Sequence, residues 1–374
     1  KLLVGHIMIN PINTIKDMKN IYILIAVFAT AILSVSCNDE WAEEQYEHYI
    51  GFRSPLNDQG VTEIYVPYSR KNIEGEYVAG GEGRSNYELP VIVSGSLTNQ
   101  QNITVHVAHD ADTLNTLNAS RFMSRTDLYY EDMMGKDYKY VTFPETMEVK
   151  AGNDVGLLNI NFDFKNIDMS EKWVLPLTVV DDPSYNYQAN PRKNYAKAIL
   201  RIYPFNAYSG VYSGTLLNNY LASDNTDPEK AEEEEQKNGS ITKNSIKGYV
   251  VDENTIFFYA GNIDEDRTDR KKYKIFAKFE EGESGMVTLS GDTDENGMNF
   301  ELYPNKQASF RIVEEMDATR PYLKHRYVII NNVDYYFNYI PVEGTIIRYH
   351  VKGTLTLSRD INTQIPDEDQ AIEW

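Results

Sequence analysis

From residue 156 to 165 the chain reads GLLNINFDFK, which places Leu158, Ile160, Phe162 and Phe164 on one side of an extended backbone and Asn159, Asn161, Asp163 and Lys165 on the other. A period of two held over this length predicts a half-buried β-strand. Further short runs with alternation or high β-propensity lie at 61–67, 87–95, 102–109, 145–150, 173–180 and 195–203, with turn residues between them. Seven strands in about 150 residues, with no long amphipathic helix among them, predict an immunoglobulin-like β-sandwich.

The alternation continues in a second block, at 210–217, 240–251, 255–260, 272–279, 285–290, 299–303, 308–314, 322–330, 334–340 and 346–357. Short polar turns such as Asp252-Glu253-Asn254 and Asn331-Asn332 separate neighbouring runs, so each strand is expected to pair antiparallel with the next. Eight to ten sequential strands in some 165 residues predict an antiparallel up-and-down, lipocalin-like β-barrel rather than a second sandwich. The fold class expected is therefore all-β. Pro204 closes the last sandwich strand and 206–210 makes a turn, which divides the chain into a sandwich at 38–205 and a barrel at 206–374, joined with little slack. The insertion 223–239, with Glu232 to Glu235 in a row, reads as a solvated loop.

Ahead of these blocks, residues 18–40 read MKNIYILIAVFATAILSVSCNDE. Lys19 gives a short positive start, 21–35 is almost continuously apolar, and Ser34-Val35-Ser36 puts small residues before Cys37, the only cysteine. The apolar run is shorter than the ~18–20 residues of a membrane-spanning helix, and acidic residues follow at once. This pattern predicts a signal peptide with Cys37 as the lipid acceptor, although Leu33 stands four residues before Cys37 and Ser34 takes the place where a lipobox usually has Leu or Val. Residues 1–37 are set aside as an upstream extension and leader.

Composition narrows the function classes. The chain has 374 residues, 36 Lys plus Arg and 56 Asp plus Glu, a formal charge of −20. The leader carries three bases (Lys1, Lys16, Lys19) and one acid (Asp17), so the remainder stands near −22. That balance repels nucleic acid and anionic membrane surfaces. With one cysteine no intrachain disulfide is possible, and core burial carries the stability.

Four segments, CNDEWAEEQYEHYIGF, KWVLPLTVVDD, PFNAYSGVYSGT and GTLTLSRDINTQIPDEDQAIEW, resemble Bacteroidota surface lipoproteins that pair an N-terminal immunoglobulin-like domain of unknown function with a C-terminal β-barrel-like one. Such proteins are similar to accessory glycan-binding proteins of Sus-like polysaccharide utilisation loci. The resemblance implies a non-catalytic, lipid-anchored protein at the cell-surface side of the outer membrane, working beside a transporter pair and surface glycosidases. A structural or adhesive role with a protein partner, and a lipocalin-like carrier of a small apolar ligand, are the alternatives.

The residues themselves offer little catalytic chemistry. GDTDENG at 291–297 opens like a calcium loop, but the twelfth position is Tyr303 where a bidentate Glu belongs, so it reads as an acidic hairpin turn. His106 and His109, three apart, fall on opposite faces of a strand and make a poor zinc pair. No nucleophile elbow, His-Glu helix motif or phosphate loop is present, and no cofactor or metal is expected. Aromatic faces are the more plausible chemistry, since a ring offers apolar area and a π-system to the C–H face of a sugar. The candidates for carbohydrate binding are Tyr129, Tyr130, Tyr138 and Tyr140, in the long segment 120–144, and Tyr335, Tyr336 and Tyr339 in DYYFNY. The competing reading is that they pack the loop and the barrel core, with Tyr335, Phe337 and Tyr339 inward and Tyr336 outward.

Overall fold

The computed structural model describes residues 48–72, 74–95, 97–135, 140–292 and 298–365. Cys37, Tyr138 and most of the 291–297 turn lie outside the described residues. The first half contains β1 (Tyr49–Phe52), β2 (Thr62–Pro67), β3 (Arg84–Val93), β4 (Ile103–His109), α1 (Ala111–Phe122), β5 (Tyr130–Asp132), β6 (Val141–Thr142), β7 (Thr146–Val149), β8 (Val155–Asp163), β9 (Lys172–Val179), β10 (Gln188–Ala189) and β11 (Lys197–Phe205). One sheet runs β10-β1-β3-β8-β6 and the other β2-β11-β9-β4-β7, with β5 added parallel to β9. The alternation in GLLNINFDFK is realised: Leu158, Ile160 and Phe162 are buried between the sheets while Asn159 and Asn161 face out. This is the immunoglobulin-like sandwich that the pattern predicts. The opening strand is split, β1 joining β3 in one sheet and β2 running parallel to β11 in the other.

The second half contains β12 (Gly210–Ser213), β13 (Leu217–Leu221), α2 (Pro228–Asn238), β14 (Ser240–Thr242), β15 (Ser245–Val250), β16 (Thr255–Tyr259), β17 (Lys274–Phe279), β18 (Ser284–Gly291), β19 (Glu301–Leu302), β20 (Ala308–Met316), β21 (Leu323–Tyr339) and β22 (Ile347–Asn362). Strands β12, β15, β16, β17, β18, β20, β21 and β22 pair in that order and β22 returns to β12, which closes an antiparallel eight-stranded barrel. Eight strands leave an interior that side chains can fill. Here Tyr212, Phe258 and Tyr335, each at most 2% exposed, belong to that filling, which removes the support for a ligand-carrying interior. Leu216's carbonyl passes so close to Gly353 that a Cβ there would stand 1.9 Å from it, at a φ of +147° that L side chains rarely adopt. Gly353 thus lets β13 and β21 flank β22 at one level.

Two expectations are corrected. Asn331-Asn332 is not a hairpin turn: β21 runs through it as one strand, with a register shift between Ile330 and Val333 and Asn332 at φ 56°. The insertion 223–239 is not a bare loop either. It holds α2, capped by Asp227, whose carboxylate accepts from the Glu229 N–H, with Pro228 in the first turn and Gly239 at the C-cap. The helix packs on the outer face of β13 and buries Glu235.

The halves meet over a continuous interface. Between β11 and β12, Asn206 Oδ1 accepts from the Tyr208 and Ser209 N–H groups, and its amide donates to the Asp252 carbonyl at 2.7 Å. Ion pairs Lys172–Asp266 (2.6 Å), Lys71–Glu253 (2.9 Å) and Lys274–Asp168 (3.1 Å) cross the seam, and Arg270 Nε donates to the Ser170 carbonyl at 3.1 Å. Burial pushes the Asp168 carboxyl up, but the Ser170 N–H and the Lys274 ammonium outweigh it and hold the group below the usual carboxylate range. Most of the buried apolar residues of both halves form one continuous cluster.

Candidate functional site

The structure separates the predicted tyrosines by burial. Tyr130 is 3% exposed in a small cluster with Leu114, Val174 and Ile199, and Tyr335 is 0% exposed in the barrel, where its hydroxyl accepts from the Gly261 N–H at 3.2 Å. Neither has a face to offer a sugar, and both are corrected to core residues: stacking would require removing the residues that cover them. Tyr140 packs edge-on against Trp173 at 5.1 Å. Tyr129 donates to the Met123 carbonyl at 2.7 Å and leans on Phe122. Tyr339 lies under Arg267, which donates to its hydroxyl at 2.8 Å. The two groups therefore do not assemble into one aromatic surface among the described residues.

Tyr336 does point outward, but into a covered network. Asp334, Tyr336, His350 and Lys352 alternate onto the outer face of β21 and β22, and α2 lies over them. His350 is 3% exposed, with Nδ1 2.7 Å from Glu235 Oε2 and Nε2 2.7 Å from Asp334 Oδ1. Each ring nitrogen thus faces a carboxylate oxygen at hydrogen-bond distance. Tyr336 stacks on the ring at 4.3 Å and Tyr303 at 5.2 Å. Burial, with Glu235 nearby, pushes the Tyr336 phenol up to about 12. His350 reaches Glu235 and Asp334, and the Lys352 ammonium donates to Glu232 at 2.8 Å, so the cluster fastens α2 to the barrel.

The site open to a ligand is elsewhere, in a groove of about 1040 Å³ at one end of the sandwich. Its floor is β1 and the end of β3; its wall is the loop 190–195 between β10 and β11. Three observations explain why the loop holds its shape. Asn190 N–H donates to the Ile50 carbonyl at 2.8 Å, Asn190 Oδ1 accepts from the Arg192 N–H at 3.0 Å, and the Tyr195 carbonyl accepts from the Phe52 N–H at 2.9 Å. That last bond needs Gly51, where a Cβ would sit 2.9 Å from the Tyr195 carbonyl oxygen. Tyr195 is 51% exposed, an aromatic face standing beside Asn190 and Asn194 on a backbone pinned from both sides. This combination of ring, amides and fixed concavity suits a small polar ligand with an apolar face. A second groove of about 540 Å³ follows the seam between the halves, where Asp168 and Lys274 pair with one another beside Glu82, Lys165 and Asp252.

His106 and His109 do not converge: His106 stacks on Tyr185 at 4.0 Å and His109 pairs with Asp132 at 2.7 Å. Among the described residues no group of three or more His, Cys, Asp or Glu is placed to hold a metal ion, and no helix is long and apolar enough to cross a membrane.

A solved structure of an auxiliary nutrient binding protein from Bacteroides thetaiotaomicron is 62% identical to this chain with a TM-score of 0.78, the match covering 88% of this chain and 100% of that one. The chain belongs to that protein's family. Within it, a multidomain Bacteroides ovatus protein including DUF1735 is 42% identical (TM-score 0.70, covering 87% and 100%). A Bacteroides ovatus protein of unknown function is 32% identical (TM-score 0.69, covering 89% and 97%). A family model for a domain of unknown function, DUF4973, matches residues 41–183, and a model for a C-terminal domain matches 196–356. No curated protein is significantly similar. The groove loop 190–195 falls between the two matched ranges.

Proposed function

We propose that this family member is a non-catalytic accessory protein of a nutrient-uptake system, which captures a saccharide in the groove beside Tyr195 and is held at the outer membrane by lipid on Cys37. The groove carries the reading: a preformed concavity with an exposed ring flanked by amides matches a sugar's apolar face and its rim of hydroxyls. The relative described as an auxiliary nutrient binding protein supports the same class of role. A transporter pair and surface glycosidases are the partners such a role requires.

Because each hydroxyl exchanges water for protein at a net gain of only ~1 kcal/mol, binding at so open a site is expected to be weak and to lean on the ring. Tyr195→Ala is expected to lower saccharide affinity by roughly 1–2 kcal/mol, about five- to thirty-fold, in calorimetric titrations with the hits of a glycan-array screen, without a change in thermal unfolding. Full binding by the variant would remove the groove from the account. For the anchor, Cys37→Ala is expected to abolish incorporation of a palmitate analogue and to move the protein from the membrane to the soluble fraction. Continued labelling of the variant would end the lipid-anchor reading.

A further inference from the structure

The groove departs from the rest of the molecule in charge. The chain is acidic overall, at −20, yet the groove is lined by Arg53, Arg192 and Lys193 and by no Asp or Glu among the described residues. All three side chains are exposed, and no ion pair among the described residues engages any of them. Several of this protein's other cations pair with its own carboxylates, as at the domain seam and on the barrel face. Two of the three cations sit on the loop whose backbone is pinned to β1, and the third leaves β1 directly after Phe52. Their backbones are therefore held at fixed separation around the Tyr195 ring, over which the Arg192 guanidinium lies at 6.0 Å.

We infer that the groove takes an anionic saccharide, one that carries carboxylate or sulfate groups. The inference rests on the reading that the groove binds sugar, and adds the class. Arginine is suited to either group, because its planar fork of N–H donors matches two oxygens of a carboxylate or sulfate at once. A local excess of positive charge on an acidic protein also gives the ligand one place to go: an anionic chain is repelled by most of the surface and drawn to this end of the sandwich. A neutral oligosaccharide takes hydrogen bonds from these cations but gains no charge pairing with them.

The test uses the full chain and paired probes: a galacturonate hexamer against its methyl-esterified form, and a sulfated hexasaccharide against its desulfated form. The expected result is about tenfold tighter binding of at least one anionic probe than of its neutral partner, and loss of that preference in Arg53→Gln/Arg192→Gln. The preference is also expected to fade as ionic strength rises from about 0.01 M to about 1 M, which shortens the screening length from ~30 Å to ~3 Å. Whichever anionic arm binds identifies the group recognised. Lys193→Gln serves as a second, milder variant, and unchanged thermal unfolding of each shows that the fold is kept. Equal affinity for charged and neutral partners, or an anionic preference that survives the double variant, overturns the inference while leaving saccharide binding intact. Failure of every probe to bind, charged or neutral, overturns the proposed function itself.

Discussion

His350→Ala is expected to destabilise the barrel by about 3–5 kcal/mol, the cost of removing one partner from a buried charge network. The loss follows from what is left behind: Glu235, 1% exposed, would keep only the Ser223 N–H on Oε1, and Asp334 Oδ1 would lose its ring partner. Tyr336 and Tyr303 would also lose the ring on which they stack. The check is thermal or urea unfolding of wild type against variant, together with limited proteolysis at α2, whose attachment runs through Glu235. Adding Glu235→Leu to the variant is expected to recover part of the loss, because an apolar side chain costs less there than an unpaired carboxylate. A change below ~1 kcal/mol on removing the imidazole would mean that the network is solvated and not the fastening described.

The second large effect is expected at Tyr335. Truncation to alanine removes a fully buried ring from the barrel interior, a change that typically costs about 3–5 kcal/mol. It also deprives the Gly261 N–H of its acceptor. Tyr335→Phe separates the terms, since it keeps the ring and loses only the hydroxyl, for an expected ~1–3 kcal/mol. Near-neutral behaviour of the alanine variant would show an interior with room to spare, and would bring back the ligand-carrying barrel that the packing of Tyr212, Phe258 and Tyr335 now argues against.

These two residues also mark how far the sequence could be read. Tyr335 and Tyr336 alternate in DYYFNY, and that period alone assigns one to the interior and the other outward, as observed. What lies above Tyr336 was hidden, because the insertion 223–239 presents a run of glutamates that suggests solvent. The helix signs were present, with Asp227 to cap, Pro228 to start and Gly239 to end it, but they are local and weak beside the charge run. The burial of Glu235 depends on His350, 115 residues further on, which no local pattern connects to it. Asn331-Asn332 misleads for a related reason: Asn tolerates positive φ in a turn and in a bulge alike, and pairing of β21 with both β20 and β22 decides for the bulge. Helix α1 was missed because its 12 residues bury little apolar surface, only Leu114 and Asn118 being buried.

The groove was the least legible feature. It draws on 49–56, 92–95 and 190–195, three segments that come together only because β1 pairs with both β3 and β10. Strand β1 lies outside the runs that alternation marks, and the run 195–203 takes in Tyr195 although the strand begins at Lys197. Tyrosine-rich sequence draws attention to 129–140 and 335–339 instead, where Tyr130, Tyr140, Tyr335 and Tyr339 serve packing. An aromatic residue becomes a candidate for sugar stacking through exposure on a fixed backbone, and exposure is set by tertiary contacts.

The most direct measurement is a crystal structure of the full chain with the best-binding oligosaccharide from the screen. The account predicts a sugar ring stacked on Tyr195, its hydroxyls or acidic groups within hydrogen-bond reach of Asn190, Asn194, Arg53 or Arg192, and a loop 190–195 unmoved from its place against β1. Sugar density at the domain seam, in the barrel or on the tyrosines of 129–140, with the groove empty, would contradict it.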